Sequence, residues 1–227
     1  MGESAAGAGG GGDGVRVAVL GAGACVLPCF VCGLSPRCRV TAVECDAEVG
    51  RRFFAADRVE QGGQLQLLVD DGVAHVQQCA RERYDALFVT AGGGGGGHQE
   101  RLAPPASMAT AQFYRAVLRA LRPAGVCGVN VLCPTTRGGC ATLRELRGAL
   151  LEAGFGADGL HVAVTGAEPH CNFVLFAMSG PDPPRVDADA LAARLAALPA
   201  GAAAQLDACR TGCRWLTWDR WAAAYAG

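Results

Sequence analysis

From residue 15 onward the chain alternates short apolar runs with stretches of helical periodicity. The runs of strand length fall at Val15–Leu20, Arg39–Glu44, Gln66–Val69, Asp85–Thr90 and Gly125–Leu132. Helices are predicted between and after them, at Pro28–Leu34, Ala47–Phe54, Gly72–Arg81, Ser107–Leu121 and Ala141–Ala153. Strands that stay apolar at successive positions are buried on both faces. That requires a parallel sheet with helices on each side. Two more strands, His161–Thr165 and Asn172–Met178, are linked by only Gly166–Cys171 and so form an antiparallel edge hairpin. The pattern predicts an α/β domain over residues 15–180 with a mostly parallel, seven-stranded sheet. Residues 1–14 read as a disordered, glycine-rich tail. Residues 181–227 read as a helical appendage with a helix at Ala188–Leu198. Within it, Trp215, Trp218 and Trp221 are spaced by three, as on one helix face buried against the domain.

Composition narrows the class. The 227 residues are enough for one domain with its own core. All 20 basic residues are arginine, and isoleucine is absent as well, a skew that points to biased codons rather than to a partner. The net charge of −1 argues against a nucleic-acid partner held by bulk electrostatics. Val17–Leu34 carries no charge for eighteen residues, but Gly21, Gly23, Pro28 and Gly33 interrupt it. A buried strand, a glycine turn and a helix start give the same run, so no membrane segment is assigned. The start lacks a basic region followed by an apolar one, so the twelve cysteines are expected reduced in a cytoplasmic protein. Cys29-x-x-Cys32 has no second such pair and no histidine nearby; buried small hydrophobes are the expected reading, and no metal is expected.

In a sheet of this kind ligands sit at the carboxyl ends of the strands. The first strand runs into Gly21-Ala22-Gly23. Glycines there permit a tight turn and close approach of the backbone to a ligand. A dinucleotide fingerprint would place Gly or Ala at position 26, where Val26 stands, so the turn suits a nucleoside cofactor without a pyrophosphate. The second strand ends at Glu44, 23 residues after Gly21, the usual distance for an acid that accepts from ribose hydroxyls. The third leads into Asp70-Asp71-Gly72. Asp71 is assigned to an adenine amino group, with helix capping as the alternative role for an aspartate here. Together these three stations point to S-adenosylmethionine or a close analogue. The cofactor-binding candidates are Gly21, Ala22, Gly23, Glu44, Cys45, Asp71, Gly72 and Thr90.

Several longer segments carry a resemblance: LGAGACVLP (Leu20–Pro28), AVECD (Ala42–Asp46), DDG (Asp70–Gly72), YDALF (Tyr84–Phe88), Pro104–Cys133 and NFVLF (Asn172–Phe176). In these the chain resembles the spermidine-synthase-like branch of class I methyltransferases. Within that branch it is most similar to the methyltransferase-like members that modify a translation elongation factor. The resemblance implies a Rossmann-like methyltransferase fold, S-adenosylmethionine over the first strands, and methyl transfer to a protein amine.

The pattern departs after the fourth strand. The family carries an aspartate there, often with a second acid, whereas this chain has Thr90, Ala91 and six glycines, Gly92–Gly97. A polyamine needs carboxylates to replace its hydration, so spermidine synthase activity is disfavoured. Methyl transfer asks mainly for alignment of acceptor and methyl group and survives the loss more readily. His98 lies in the glycine loop as a candidate base, and His75 on the helix after Asp71 has no assigned role. No catalytic residue is assigned. Two readings stay open: a methyltransferase with a protein substrate, and a non-catalytic methyltransferase-like binding module. No oligomeric state follows from the sequence.

Overall fold

The computed structural model describes residues 14–52, 63–92, 103–134, 137–167, 170–180 and 213–225. The glycine-rich start, the end of the helix expected at Ala47–Phe54, residues 93–102 with His98, and the helix expected at Ala188–Leu198 lie outside them. The strands are β1 (Arg16–Leu20), β2 (Arg39–Glu44), β3 (Leu65–Val69), β4 (Tyr84–Val89), β5 (Leu121–Pro134), β6 (Leu160–Ala167), β7 (His170–Met178) and β8 (Cys213–Thr217). The helices are α1 (Val26–Leu34), α2 (Ala47–Arg52), α3 (Gly72–Gln78), α4 (Ala111–Ala120), α5 (Arg137–Ala153) and α6 (Trp218–Tyr225).

The sheet runs in the order β3-β2-β1-β4-β5-β7-β6-β8. β1 to β5 are parallel, and β7 is antiparallel to both β5 and β6. This is the expected mostly parallel sheet with its antiparallel hairpin. Val17, Ala18, Val19 and Leu20 of β1 are all buried, which explains their uninterrupted apolar run. From β1 the chain first adds strands on one side and then returns to add β4 on the other. The carboxyl ends of β1 and β4 therefore flank the point where strand order reverses.

α4 shows how the covering helices are specified. Thr110 caps it by accepting from the Phe113 amide at 3.2 Å. Phe113, Tyr114, Ala116, Val117 and Ala120 recur at helical spacing and are buried against the sheet. Burial of each large apolar side chain contributes about 1.5–3 kcal/mol. The helix is shorter at its start than the expected Ser107–Leu121, because Ala106–Met108 forms a separate 3-10 turn behind Pro105.

The C-terminal segment differs from its expected form. Cys213–Thr217 is a strand, and it pairs antiparallel with β6 (Ala163 opposite Trp215). β6 would otherwise offer a row of unpaired amides and carbonyls, and Trp and Thr suit a strand on such an edge. Trp215 thus leaves the expected helix face, and only Trp218 and Trp221 share α6. Trp221 is fully buried, edge-on to Phe173 with ring centroids 6.4 Å apart. It also lies 4.6 Å from Trp218, whose ring carries the Arg147 guanidinium at 5.0 Å.

Candidate active site at the switch point

The turn after β1 is built by two glycines that serve different ends. Gly21 has φ +81°, and a methyl group on it would sit 2.4 Å from the Ala91 backbone. Glycine is required there because the turn after β1 rests directly on the chain leaving β4. Gly23 has φ +50°, yet among the described residues a methyl group there would meet nothing within 4 Å. It borders open space, as a residue beside a ligand does. The turn is pinned to β2 by the Gly21 and Ala22 amides, which donate to Val43 O at 2.9 and 3.0 Å. Cys25 ends it, buried and left-handed at φ 57° as the N-cap of α1.

Glu44 faces this turn. Its Oε2 accepts from the Gly23 amide at 2.8 Å, and its Oε1 accepts from the Asp46 amide at 3.1 Å. The side chain is buried, so these bonds to a charged acceptor each contribute about 1.5–3 kcal/mol. Oε2 retains a further lone pair for a hydroxyl, whereas Oε1 also accepts from the Cys45 thiol. The neighbouring acid acts elsewhere, since Asp46 Oδ1 accepts from the Glu48 amide at 2.9 Å and starts α2. Cys45 is exposed beside them, with Sγ 3.5 Å from Glu44 Oε1. Desolvation first, and then Glu44, push its thiol pKa up.

The third station adjoins the first through Leu20. A methyl group on Gly72 would sit 3.5 Å from Leu20 Cβ and 2.6 Å from the Met108 terminal methyl. Met108 therefore covers Gly72 closely, a contact that the apolar Pro104–Met108 segment did not announce. Asp71 takes the capping role: its Oδ1 accepts from the Ala74 amide at 2.8 Å. One carboxylate oxygen is thereby used by α3, and Asp71 keeps its exposed position at the strand end.

Thr90, the position at which the resemblance implied an acid, turns its side chain toward the glycine turn. The hydroxyl donates to Gly21 O at 2.7 Å and lies 3.2 Å from Leu20 O. The Thr90 and Ala91 amides also donate to Leu20 O, at 2.9 and 3.1 Å. The threonine hydrogen is thus committed to holding the turn, which leaves only oxygen lone pairs for any ligand. Sequence reasoning compared Thr90 with the missing acid and missed this bond; a hydroxyl side chain at a strand end beside a glycine turn was its only signal.

Other candidates fall away from this place. Cys29 and Cys32 lie on α1, and desolvation raises the Cys32 thiol pKa to about 11, the wrong direction for a reactive thiolate. Among the described residues, no group of three or more His, Cys, Asp or Glu is arranged for a metal ion. None of their helices is long and apolar enough to cross a membrane.

Neither a family model nor a curated protein matches the sequence. Solved structures do match the fold. A "probable spermidine synthase" from Corynebacterium glutamicum superposes with a TM-score of 0.62 at 18% identity, covering 95% of this chain and 71% of that one. Human methyltransferase-like protein 13, in complex with SAH, gives 0.58 at 21% identity over 81% of this chain and 80% of that one. A spermidine synthase in complex with the transition-state analogue AdoDATO gives 0.51 at 15% identity, over 76% and 55%. The chain has the Rossmann-like fold that class I methyltransferase and spermidine synthase structures share.

Proposed function

We propose that this protein binds S-adenosylmethionine at the carboxyl ends of β1, β2 and β3 and transfers its methyl group to a protein amine. The observation that carries the reading is the Gly23–Glu44 pair: a carboxylate with a spare lone pair on Oε2 beside a turn that borders open space. Glu44 would accept from the ribose hydroxyls, Asp71 would face the adenine amino group, and Gly21–Gly23 would let the backbone lie against the ligand. Cys45, Gly72 and Thr90 would line the same place. SAH and AdoDATO, the ligands of two structures with this fold, are both derived from that cofactor. The cofactor supplies a methyl group on a sulfonium, already an excellent leaving group. What the chain must add is alignment of the acceptor and exclusion of water.

One observation favours a second reading. The Thr90 hydrogen is spent on Gly21 O, and none of the described residues at the β4 exit, Thr90–Gly92, is ionisable. A module that binds the cofactor without turnover fits that arrangement. Calorimetry with S-adenosylhomocysteine, followed by labelled S-adenosylmethionine with a proteome extract, separates the cases. Binding with a labelled acceptor that vanishes in Glu44→Ala supports the enzyme. Binding without any labelled acceptor supports the module, and absence of binding sinks both.

A further inference from the structure

Beside the proposed cofactor contacts, the structure holds a polar chain that runs from the core to the surface and that the proposed reaction does not use. It begins at Thr41, buried on β2. Tyr84, buried on β4, lies 3.0 Å from His75 Nε2 on α3. On the other side of the imidazole, Nδ1 lies 3.9 Å from Asp70 Oδ2. Asp70 Oδ1 accepts from the Asp71 amide at 2.8 Å, and Asp71 in turn caps α3 through the Ala74 amide. With its hydrogen on Nδ1, facing the Asp70 carboxylate, the neutral imidazole accepts from the Tyr84 hydroxyl at Nε2. The 3.9 Å gap exceeds a hydrogen bond, so this last link is electrostatic.

We infer that His75 is a positioning residue: through Asp70 it holds the Asp70–Gly72 turn in the register a nucleobase needs. The inference rests on the proposed assignment of that turn to adenine. An apolar side chain would fill the same space without the cost of burying two ring nitrogens, and here both nitrogens face polar partners. The other groups around the ring are few. Cys79 Sγ lies 4.0 Å from the Tyr84 hydroxyl, and the Arg83 guanidinium sits 5.5 Å above the Tyr84 ring. From α4, Arg119 reaches the far end of α3 and donates to Gln77 O at 2.7 Å. Burial, with a smaller push from Arg83, lowers the His75 pKa, while Asp70 opposes it. The ring is neutral at neutral pH. Protonation puts a hydrogen on Nε2 as well, so that Nε2 no longer accepts from Tyr84, and it turns the contact with Asp70 into an ion pair.

The test uses the ligand-free chain first. Amide hydrogen exchange at Asp71 and Ala74 should accelerate about tenfold in His75→Phe, with Leu87 in the core unchanged. His75→Asn keeps a donor toward Asp70 and should stay within about threefold of wild type. S-adenosylhomocysteine affinity, by calorimetry, should fall about fivefold in His75→Phe. In wild type it should change as pH drops below the ordinary histidine range, and in His75→Phe it should be flat. Unchanged protection at Asp71 in a folded His75→Phe overturns the inference. If that variant does not fold, Asp70→Asn decides: loss of the pH response supports the inference, and its retention overturns it. A wild-type chain that binds no S-adenosylhomocysteine at any pH overturns the adenine assignment and the ligand half of this inference. Exchange then still decides whether His75 holds the turn.

Discussion

The two sides of the switch point are built differently. On the β2–β3 side, acids meet backbone amides: Glu44 takes the Gly23 and Asp46 amides, and Asp71 takes the Ala74 amide. On the β4 side, donors meet backbone carbonyls: Thr90 and Ala91 give their hydrogens to Leu20 and Gly21. The first side presents negative charge with spare lone pairs to a ligand. The second presents a neutral, closed surface. A site of this kind is well equipped to hold a nucleoside and offers no charged group of Thr90–Gly92 to a substrate amine.

The contrast can be broken most forcefully at Gly21. Gly21→Ala forces a methyl group into the Ala91 backbone at φ +81°, and should cost about 3 kcal/mol or more. Chemical denaturation should show a sharply reduced midpoint, and an unchanged one would mean the two sides are not in contact. Gly23→Ala meets only open space and should cost about 1 kcal/mol of stability, while ligand affinity suffers more.

Glu44→Ala removes the acceptor of two amides and the proposed ribose partner. S-adenosylhomocysteine affinity should fall by more than about tenfold, with a smaller loss of stability. Equal affinity in calorimetry would remove Glu44 from the site. At Thr90 the sides can be exchanged. Thr90→Val loses the hydroxyl bonds to the turn and should cost about 1 kcal/mol. Thr90→Asp introduces an acid at the strand end but sets a carboxylate against the carbonyls of Gly21 and Leu20. It should be less stable than Thr90→Val and gain no transfer activity; a large gain in labelled product would show that the acid was functionally missing.

The smallest effect is a pH slope. Burial lowers the pKa of His75 and of His161 from the ordinary 6.5. The unfolded chain therefore binds more protons than the folded one just below that value. The stability from neutral burial is fully present above 6.5 and is lost as pH falls through the window beneath it. Denaturation midpoints across about pH 5–7 should rise with pH, and His75→Phe should flatten part of the rise. A slope that His75→Phe leaves intact would assign it to other groups.

How much of this was legible in the sequence follows from the physics of each part. β1 to β5 were readable because strands covered on both faces leave continuous apolar runs, as Val17–Leu20 does. The acids stood out because a carboxylate at a strand end has few reasons to be there. β8 was unreadable, because a tryptophan spacing of three fits a helix and only the open edge of β6 makes Cys213–Thr217 a strand. Asp71 was legible in both of its possible roles, and the cap is the one with a hydrogen bond in the structure. The Thr41–Tyr84–His75–Asp70 chain was invisible, since its members come from β2, β4, α3 and the end of β3 and meet only in space.

Leu20 O gathers the Thr90 and Ala91 amides, with the Thr90 hydroxyl close by, just where the glycine run begins. The last of these ties lies at Ala91. Insertions or deletions after Gly92 therefore leave each of these bonds in place, so the run can change in length without loosening them. A change in that run is thereby free of the constraint that these bonds place on Leu20, Thr90 and Ala91.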